Sequence, residues 1–273
     1  MTDHYAVIGN PISHSKSPLI HGLFAAQTGQ DIQYEAVEAP LAGFAETIER
    51  LRREGYRGCN VTVPFKLEAW QLSKQLSPRA QLAEAVNTLI FQADGVHGDN
   101  TDGAGLVRDI QRNLGYDLHH KKILLLGAGG AAQGVLHPLL NTQPAMLVIS
   151  NRTLDKAINL KNKAQQFPTF AAIDIRAETF SQLVTSFDVV INATSAGLSD
   201  SAIPLPSSIF ATHALAYDMM YGRETPFLKF AREHGARTAD GLGMLVEQAA
   251  ESFEIWRDAS PDSQAVLKQL RQQ

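Results

Sequence analysis

"KKILLLGAGGAAQGV" (121–135) runs an apolar segment directly into a glycine-rich turn and then into a stretch of helical character. A strand followed by G-x-G-x-x-A, here Gly127, Gly129 and Ala132, and then by a helix is the setting in which this pattern binds a dinucleotide. The first glycine makes the turn, the second lets the backbone approach a pyrophosphate, and the third small residue lets helix and strand pack closely. Amides at the helix start then face the anion. A glycine turn that only packs, or the related loop of a methyltransferase, would share the glycines, but the strand-turn-helix setting favours the dinucleotide.

Working outward, further strands are expected at "MLVIS" (146–150), "FAAIDI" (170–175), "DVVINAT" (188–194) and "ALAYDM" (214–219), with helices between them. With "KILLLG" (122–127) they make a doubly wound α/β unit of the Rossmann type. Upstream, "HYAVIG" (4–9), "IQYEAV" (32–37) and "GCNVTV" (58–63) alternate with helical stretches at 17–28 and 41–53, which predicts a second, mostly parallel sheet. "AVNTLIF" (85–91) and "GVHGD" (95–99) flank Asp94-Gly95, a hairpin signal that adds an antiparallel edge. Thr101 to Leu114 reads as a connector helix, with Leu106, Val107 and Ile110 on its apolar side and Gly115 ending it. Helices are expected again over 243–257 and 261–271.

The chain has 273 residues, more than one ordinary domain. Apolar residues make up 44%, charged residues 19%, and the net charge of −4 offers no basic footprint for nucleic acid or an anionic membrane. A small-molecule partner is the expectation, with no metal. Cys59 is the only cysteine, so no internal disulfide can form and a reducing compartment fits. "MTDHYAVIG" lacks the layout of a signal peptide, and no apolar run approaches the ~20 residues that span a bilayer. These features predict a cytoplasmic protein, a monomer or homodimer.

The next strand ends in "SNRTLDKA" (150–157), where an NAD site usually carries an acid for the ribose 2′-hydroxyl. Asn151, Arg152, Thr153 and Lys156 stand there instead, and a guanidinium suits a 2′-phosphate. NADP is therefore predicted over NAD, although Arg152 could be a solvated surface residue and Thr153 a helix N-cap. Asp155 lies one turn into the helix, out of place for the ribose.

In the first domain, "GNPISHSKSP" (9–18) follows a strand and precedes a helix that Ser17 and Pro18 would start as N-cap and N1. Ser15 has no such duty by sequence. The hydroxyls of Ser15 and Ser17 near a helix start could hold a carboxylate. Asn60, Thr62 and Lys66 fall at the carboxyl end of the third strand, and Asn87 in the hairpin. Ligands of open α/β sheets bind outside the carboxyl ends of strands, so these groups are expected to converge. Asp102 in "HGDNTDGAG" (97–105) opens the connector helix. An acid there can simply stabilise the helix start, but beside Lys66 it can also hold and tune an ammonium for proton transfer.

"NPISHSKSP", "NVTVPFK", "AVNTL", "GDNTDG", "GAGGAA", "NRT", "INATSAGL" and "DGLGMLVEQA", in this order over nearly the whole chain, together resemble bacterial NADP-dependent shikimate dehydrogenases. The resemblance implies reversible NADPH-dependent reduction of 3-dehydroshikimate to shikimate, on the route to chorismate and aromatic amino acids. It implies a substrate domain over 1–101, to which 241–273 return, and an NADP-binding domain over 102–240. Lys66 and Asp102 would be the catalytic pair. Ser15 and Ser17 would bind the carboxylate, and Asn60, Thr62, Asn87, Asp102, Tyr221 and Gln248 the ring hydroxyls. Gly127, Ala128, Gly129, Gly130, Ala131, Asn151, Arg152, Thr153, Lys156, Met219 and Gly241 would form the cofactor site, while Tyr217 belongs to the core. Many members carry a second arginine where this chain has Lys156. A related enzyme that accepts quinate with NAD tends to have an acid in place of Arg152 and threonine in place of Ser17. A redox sensor on the same fold would need the glycine loop and Arg152 but not Lys66 and Asp102.

Overall fold

The first strand, β1 (Asp3–Gly9), is buried from Tyr5 onward, as an apolar run flanked on both sides by parallel neighbours should be. The computed structural model describes residues 2–194 and 203–272. The chain divides into two units, Met1–Gly105 with Leu245–Gln273, and Leu106–Met244.

In the first unit β1 is followed by α1 (Ser17–Thr28), β2 (Ile32–Glu38), α2 (Phe44–Arg53), β3 (Gly58–Val61), α3 (Lys66–Leu72), β4 (Gln75–Leu76), α4 (Pro78–Ala83), β5 (Thr88–Gln92) and β6 (Gly95–Asp99). Their sheet has the order β2-β1-β3-β5-β6-β4. β2 and β3 run parallel to β1, while β5 is antiparallel to β3 and β6. The hairpin forms one residue earlier than its Asp94-Gly95 signal, since Gln92 pairs with Gly95 and leaves Ala93 and Asp94 as the loop. Phe44, Thr47, Ile48 and Leu51 line the buried face of α2 at helical spacing and cover one side of the sheet.

The expected strand through Val63 is shorter. β3 stops at Val61, Val63 is 70% exposed, and Phe65 turns inward to stack on Phe44 with ring centroids 5.0 Å apart. Burying one large aromatic costs the chain its strand geometry there, and Lys66 consequently starts α3 instead of ending β3.

The second unit is headed by the end of a helix shared with the first, α5 (Asp102–Arg108), which continues as a wider π-helical turn to Asn113 before Gly115 adopts φ +63. It then contains β7 (Lys122–Leu126), α6 (Gly130–Asn141), β8 (Met146–Ser150), α7 (Leu154–Gln165), β9 (Asp174–Glu178), β10 (Phe187–Asn192), β11 (Phe210–Asp218), α8 (Pro226–Glu233) and β12 (Arg237–Ala239). The order β12-β11-β10-β7-β8-β9, all parallel, is the Rossmann arrangement, and its direction reverses between β7 and β10. β9 begins later than expected because Phe170 is spent on a short 3₁₀ turn that buries its ring, and β12 is a strand that periodicity missed.

α9 (Leu242–Arg257) and α10 (Ser263–Leu270) close the chain. Within the first unit, α9 packs on the sheet through Trp256, whose ring stacks on Tyr5 at 4.7 Å and whose Nε1 donates to the Leu89 carbonyl at 3.1 Å. The units divide four residues later than expected at both boundaries because α5 and α9 run through the junctions. Among the described residues no helix is long and apolar enough to cross a membrane.

His21 of α1 is fully buried between Tyr34 and Phe253, and burial pushes its imidazole down to about 3. The unfolded chain binds a proton near pH 6.5 that the folded chain refuses, so stability is lost as pH falls below about 6.5, by up to ~1.4 kcal/mol per pH unit from this group. Urea unfolding between pH 7.5 and 4.5 should record that slope, and His21→Phe should remove it; an unchanged slope would refute the assignment.

Candidate active site

Four elements of the first unit bring their polar ends together. Lys66 Nζ, at the start of α3, donates to Asp102 Oδ2 at 2.6 Å. Asp102, at the start of α5, accepts at Oδ1 from Asn87 Nδ2 at 2.8 Å. Their side chains are 31% and 14% exposed, so a charged pair sits at a half-buried surface that water and a ligand can reach. Asp102 is held from behind as well, its backbone N–H donating to Asn100 Oδ1 at 3.1 Å while Asn100 Nδ2 donates to the Ala85 carbonyl at 3.0 Å. Asn100 N–H in turn donates to Asp99, which is bridged by Arg79 to Glu251.

The amide of Asn87 can face only one way. Its Oδ1 accepts the backbone N–H of Thr101 at 2.8 Å, so Nδ2 must point at Asp102 and at Gln248 Oε1, 3.3 Å away. Gln248 Nε2 donates to the Leu245 carbonyl at 2.8 Å, which leaves its oxygen turned toward Asn87. The expected residues Lys66, Asn87, Asp102 and Gln248 thus form one hydrogen-bonded cluster.

Asn60 is 6% exposed and its donors are committed inward, to the Asn87 carbonyl at 3.1 Å and Ser252 Oγ at 2.9 Å. Its Oδ1 accepts from Tyr34 Oη at 2.8 Å. Ser15 has the local duty that its sequence position did not suggest: its Oγ accepts the Ser17 N–H at 3.2 Å at the start of α1, where Ser17 itself makes no side-chain cap. Ser17 is buried, and Thr62 is half-buried in the turn after β3. Sequence reading missed the hydroxyls beneath the cluster. Thr88, Thr101 and Ser252 are wholly buried, with Ser252 Oγ 2.8 Å from Thr88 Oγ1 and 3.1 Å from Thr101 Oγ1. Thr88 and Thr101 stand inside the quoted motifs beside Asn87 and Asp102, whereas Tyr34 and Ser252 carry no local signal.

In the second unit Gly127 adopts φ +106 directly after β7, and a Cβ there would press on the Ala193 carbonyl at 3.0 Å. Only glycine suits that turn. Above Gly129 and Gly130 nothing lies within 4 Å of where a Cβ would stand, and α6 begins with no acid in its first turn. A cavity of about 560 Å³ adjoins the loop, lined by Ala128, Gly129, Gln133, Lys156, Asn159 and Lys163 among others, with ammonium and amide groups and no carboxylate. Helix-start amides, bare glycines and a cationic wall fit a phosphate-bearing dinucleotide. Asn151 Nδ2 donates to the Thr153 carbonyl at 2.9 Å and shapes the turn into α7. Thr153 occupies the N-cap position, but its hydroxyl makes no cap bond. Ala131, Arg152 and Lys156 are exposed.

Asp218 ends β11 wholly buried, accepting from Asn192 Nδ2 at 3.0 Å, Thr225 Oγ1 at 2.6 Å and the Met220 N–H at 3.0 Å. These bonds hold the segment bearing Met219 and the exposed Tyr221. Tyr217 is core, donating from Oη to Asp109 Oδ2 at 2.6 Å. Residues 195–198 of "INATSAGL" lie outside the described residues.

The chain matches three family models: the shikimate dehydrogenase substrate binding domain over residues 7–89, shikimate/quinate 5-dehydrogenase over 109–199, and the shikimate 5′-dehydrogenase C-terminal domain over 241–271. It is 59% identical to the shikimate dehydrogenase (NADP+) of Methylobacillus flagellatus, over 98% of this chain and 99% of the relative. The chain belongs to the shikimate dehydrogenase family. Among solved structures it resembles the Ael1 enzyme of Pseudomonas putida (48% identity, 98% of each chain, TM-score 0.93). It also resembles the shikimate 5-dehydrogenase of Thermus thermophilus in complex with NADP(H) and shikimate (32% identity, 99% of each chain, TM-score 0.86). Shikimate dehydrogenases of this kind are NADP-dependent oxidoreductases.

Gly241, the first residue of the C-terminal domain match, donates its N–H to the Met220 carbonyl at 2.9 Å, and a Cβ on it would collide with the Met219 carbonyl. Gly241→Ala must therefore displace backbone at Met219. Thermal unfolding should show a loss of at least ~1 kcal/mol, the usual scale for overpacking; a wild-type melting temperature would disprove the clash.

Proposed function

We propose that this protein catalyses the reversible, NADPH-dependent reduction of 3-dehydroshikimate to shikimate, feeding chorismate and the aromatic amino acids. The observation that carries the reading is the Lys66–Asp102–Asn87 array, an ammonium held at 2.6 Å by a carboxylate that an amide orients. In this reading the substrate is held mainly by residues of the first unit and NADP(H) by residues of the second. The reducing cofactor and the lone buried Cys59 suit the cytoplasm.

NADPH, when bound, supplies the hydride to the carbonyl carbon. Negative charge then grows on the carbonyl oxygen, and Lys66 stabilises it and delivers a proton. Asp102 keeps the ammonium aimed through its Oδ2, and the Asn87 amide keeps Asp102 from rotating. In the direction of shikimate oxidation Lys66 takes the hydroxyl proton. Asn87, Asp102, Thr62, Tyr221 and Gln248 bind the ring hydroxyls, with Asn60 placed beneath them. Ser15 and Ser17 bind the carboxylate. Gly127 to Ala131 would cradle the pyrophosphate, Asn151 to Lys156, with Arg152 foremost, would bind the 2′-phosphate, and Met219 and Gly241 would complete the cofactor site.

The test is the absorbance of reduced nicotinamide on mixing the protein with shikimate or quinate and NADP+ or NAD+. Strong turnover with shikimate and NADP+ alone is expected; comparable turnover with quinate or NAD+ would assign the protein to the broad-specificity relatives, and none would leave a sensor. Lys66→Ala should lower kcat ~10²-fold or more, the scale of a lost proton donor, with a far smaller change in KM for shikimate. Loss confined to KM would reject the catalytic role. Arg152→Ala should raise the KM for NADPH about tenfold, as removal of a charged hydrogen bond does, and leave that for shikimate unchanged; an unaltered NADPH value would remove Arg152 from the phosphate site.

A further inference from the structure

We propose that Arg79 is a positioning residue for the reaction, its guanidinium fixing through Asp99 the two asparagines that hold Asp102, and through Glu251 the turn of α9 that carries Gln248. The proposal rests on the reading of Lys66 and Asp102 as the reacting pair.

Arg79 stands in the first turn of α4, where Ser77 caps the helix, its Oγ accepting the Ala80 N–H at 3.2 Å, and Pro78 follows at N1. From this base the guanidinium reaches two carboxylates. Its Nε and Nη2 donate to Asp99 Oδ1 and Oδ2, both at 2.7 Å, and its Nη1 donates to Glu251 Oε1 at 2.8 Å. None of the three side chains is more than 18% exposed, so the pairing is shielded from water. Arginine suits the place because its planar, always-charged fork addresses two acids at fixed angles, whereas lysine offers a point charge.

Asp99 cannot turn in this setting. A carboxylate has about four acceptor positions; here Arg79 fills two, the Asn100 N–H a third at 2.7 Å, and the Ser77 hydroxyl a fourth. Its main-chain carbonyl meanwhile accepts the Asn87 N–H at 3.1 Å. One residue thus seats the backbones of both Asn87 and Asn100. Their side chains meet at Asp102, with Asn100 Oδ1 accepting its N–H at 3.1 Å and Asn87 Nδ2 donating to its Oδ1 at 2.8 Å. On α9, Glu251 lies one turn beyond Gln248, whose Oε1 accepts from the same Asn87 amide at 3.3 Å. Without the guanidinium, the carboxylates of Asp99 and Glu251 lose their shared cation, and their like charges push β6 and α9 apart behind the site.

The experiment is steady-state kinetics and thermal unfolding of Arg79→Gln and Arg79→Lys, each assayed well below its melting temperature. Arg79→Gln should lower kcat for shikimate oxidation about tenfold, within the ~10²-fold that misplaced reacting groups can cost. The KM for shikimate should rise about threefold through Gln248, less than the loss of one whole hydrogen bond, and the KM for NADP+ should stay unchanged. Arg79→Lys, which keeps the charge without the fork, should recover part of the lost kcat. If Arg79→Gln does not fold, the lysine variant decides, a lowered kcat with an unchanged KM for NADP+ supporting the proposal. A lowered melting temperature with wild-type kcat and KM for shikimate in the folded variants overturns it and leaves Arg79 a structural part. Equal losses in kcat and in both KM values also overturn it, since the loosening would then be general. If the wild-type protein does not oxidise shikimate at all, the reading of Lys66 and Asp102 falls and takes this proposal with it.

Discussion

The first unit is organised around an amide that cannot turn over. Asn87 receives the Thr101 backbone N–H on its oxygen, and because a peptide N–H only donates, its NH₂ group is committed to Asp102 and Gln248. Asp102 then has one oxygen for Asn87 and the other for Lys66, so the ammonium at the end of a long, flexible stem acquires a defined direction. Phe65 supplies the second anchor. Buried in the core next to Lys66, it fixes the root of the same side chain.

Beneath this array the hydroxyls of Thr88, Thr101 and Ser252 and the amide of Asn60 form a polar layer inside an otherwise apolar sheet. Any one of these groups left unpaired in that setting would cost about 1–3 kcal/mol. Mutual satisfaction removes that penalty and leaves the layer few alternative arrangements, so a polar core here fixes geometry where an apolar one would tolerate repacking. The second unit works by the opposite means. Its loop after β7 is effective because side chains are missing: Gly127 permits the turn, and bare backbone at Gly129 and Gly130 opens the helix start to an anion.

Both units nonetheless follow one rule of open parallel sheets, in which functional groups gather beyond the carboxyl ends of strands. Thr62 and Lys66 follow β3, Gly127 follows β7, Asn151 and Arg152 follow β8, and Met219 follows β11. Buried Asp218 does for the β11 end what Asn87 does for the first unit, collecting three donors to immobilise the segment that carries Met219 and Tyr221.

Much of this was legible in the chain itself. The glycine loop, the alternation of apolar runs with helical stretches, the helix stop at Gly115 and the family motifs around Lys66, Asn87 and Asp102 are local signals, and local physics produces them. Other features depend on partners distant in sequence. Val63 belongs to an apolar run yet is exposed, because the demand to bury Phe65 beside Phe44 ends β3 two residues early. Phe170 likewise leaves its apolar run to plug a turn, delaying β9. Where Ser17 before Pro18 reads as an N-cap, the hydroxyl that serves the helix start is that of Ser15, which accepts the Ser17 N–H. The contact of Asn60 with Ser252 joins residues 192 positions apart, and Tyr34 of β2 reaches Asn60 of β3. The sequence by itself determined the α/β class, the glycine loop and the family motifs that hold Lys66, Asn87 and Asp102, since these follow from short-range pattern. Only the tertiary structure decided which way each amide faces and which hydroxyls hold it, because hydrogen-bond direction is settled by whatever donor or acceptor the fold brings opposite.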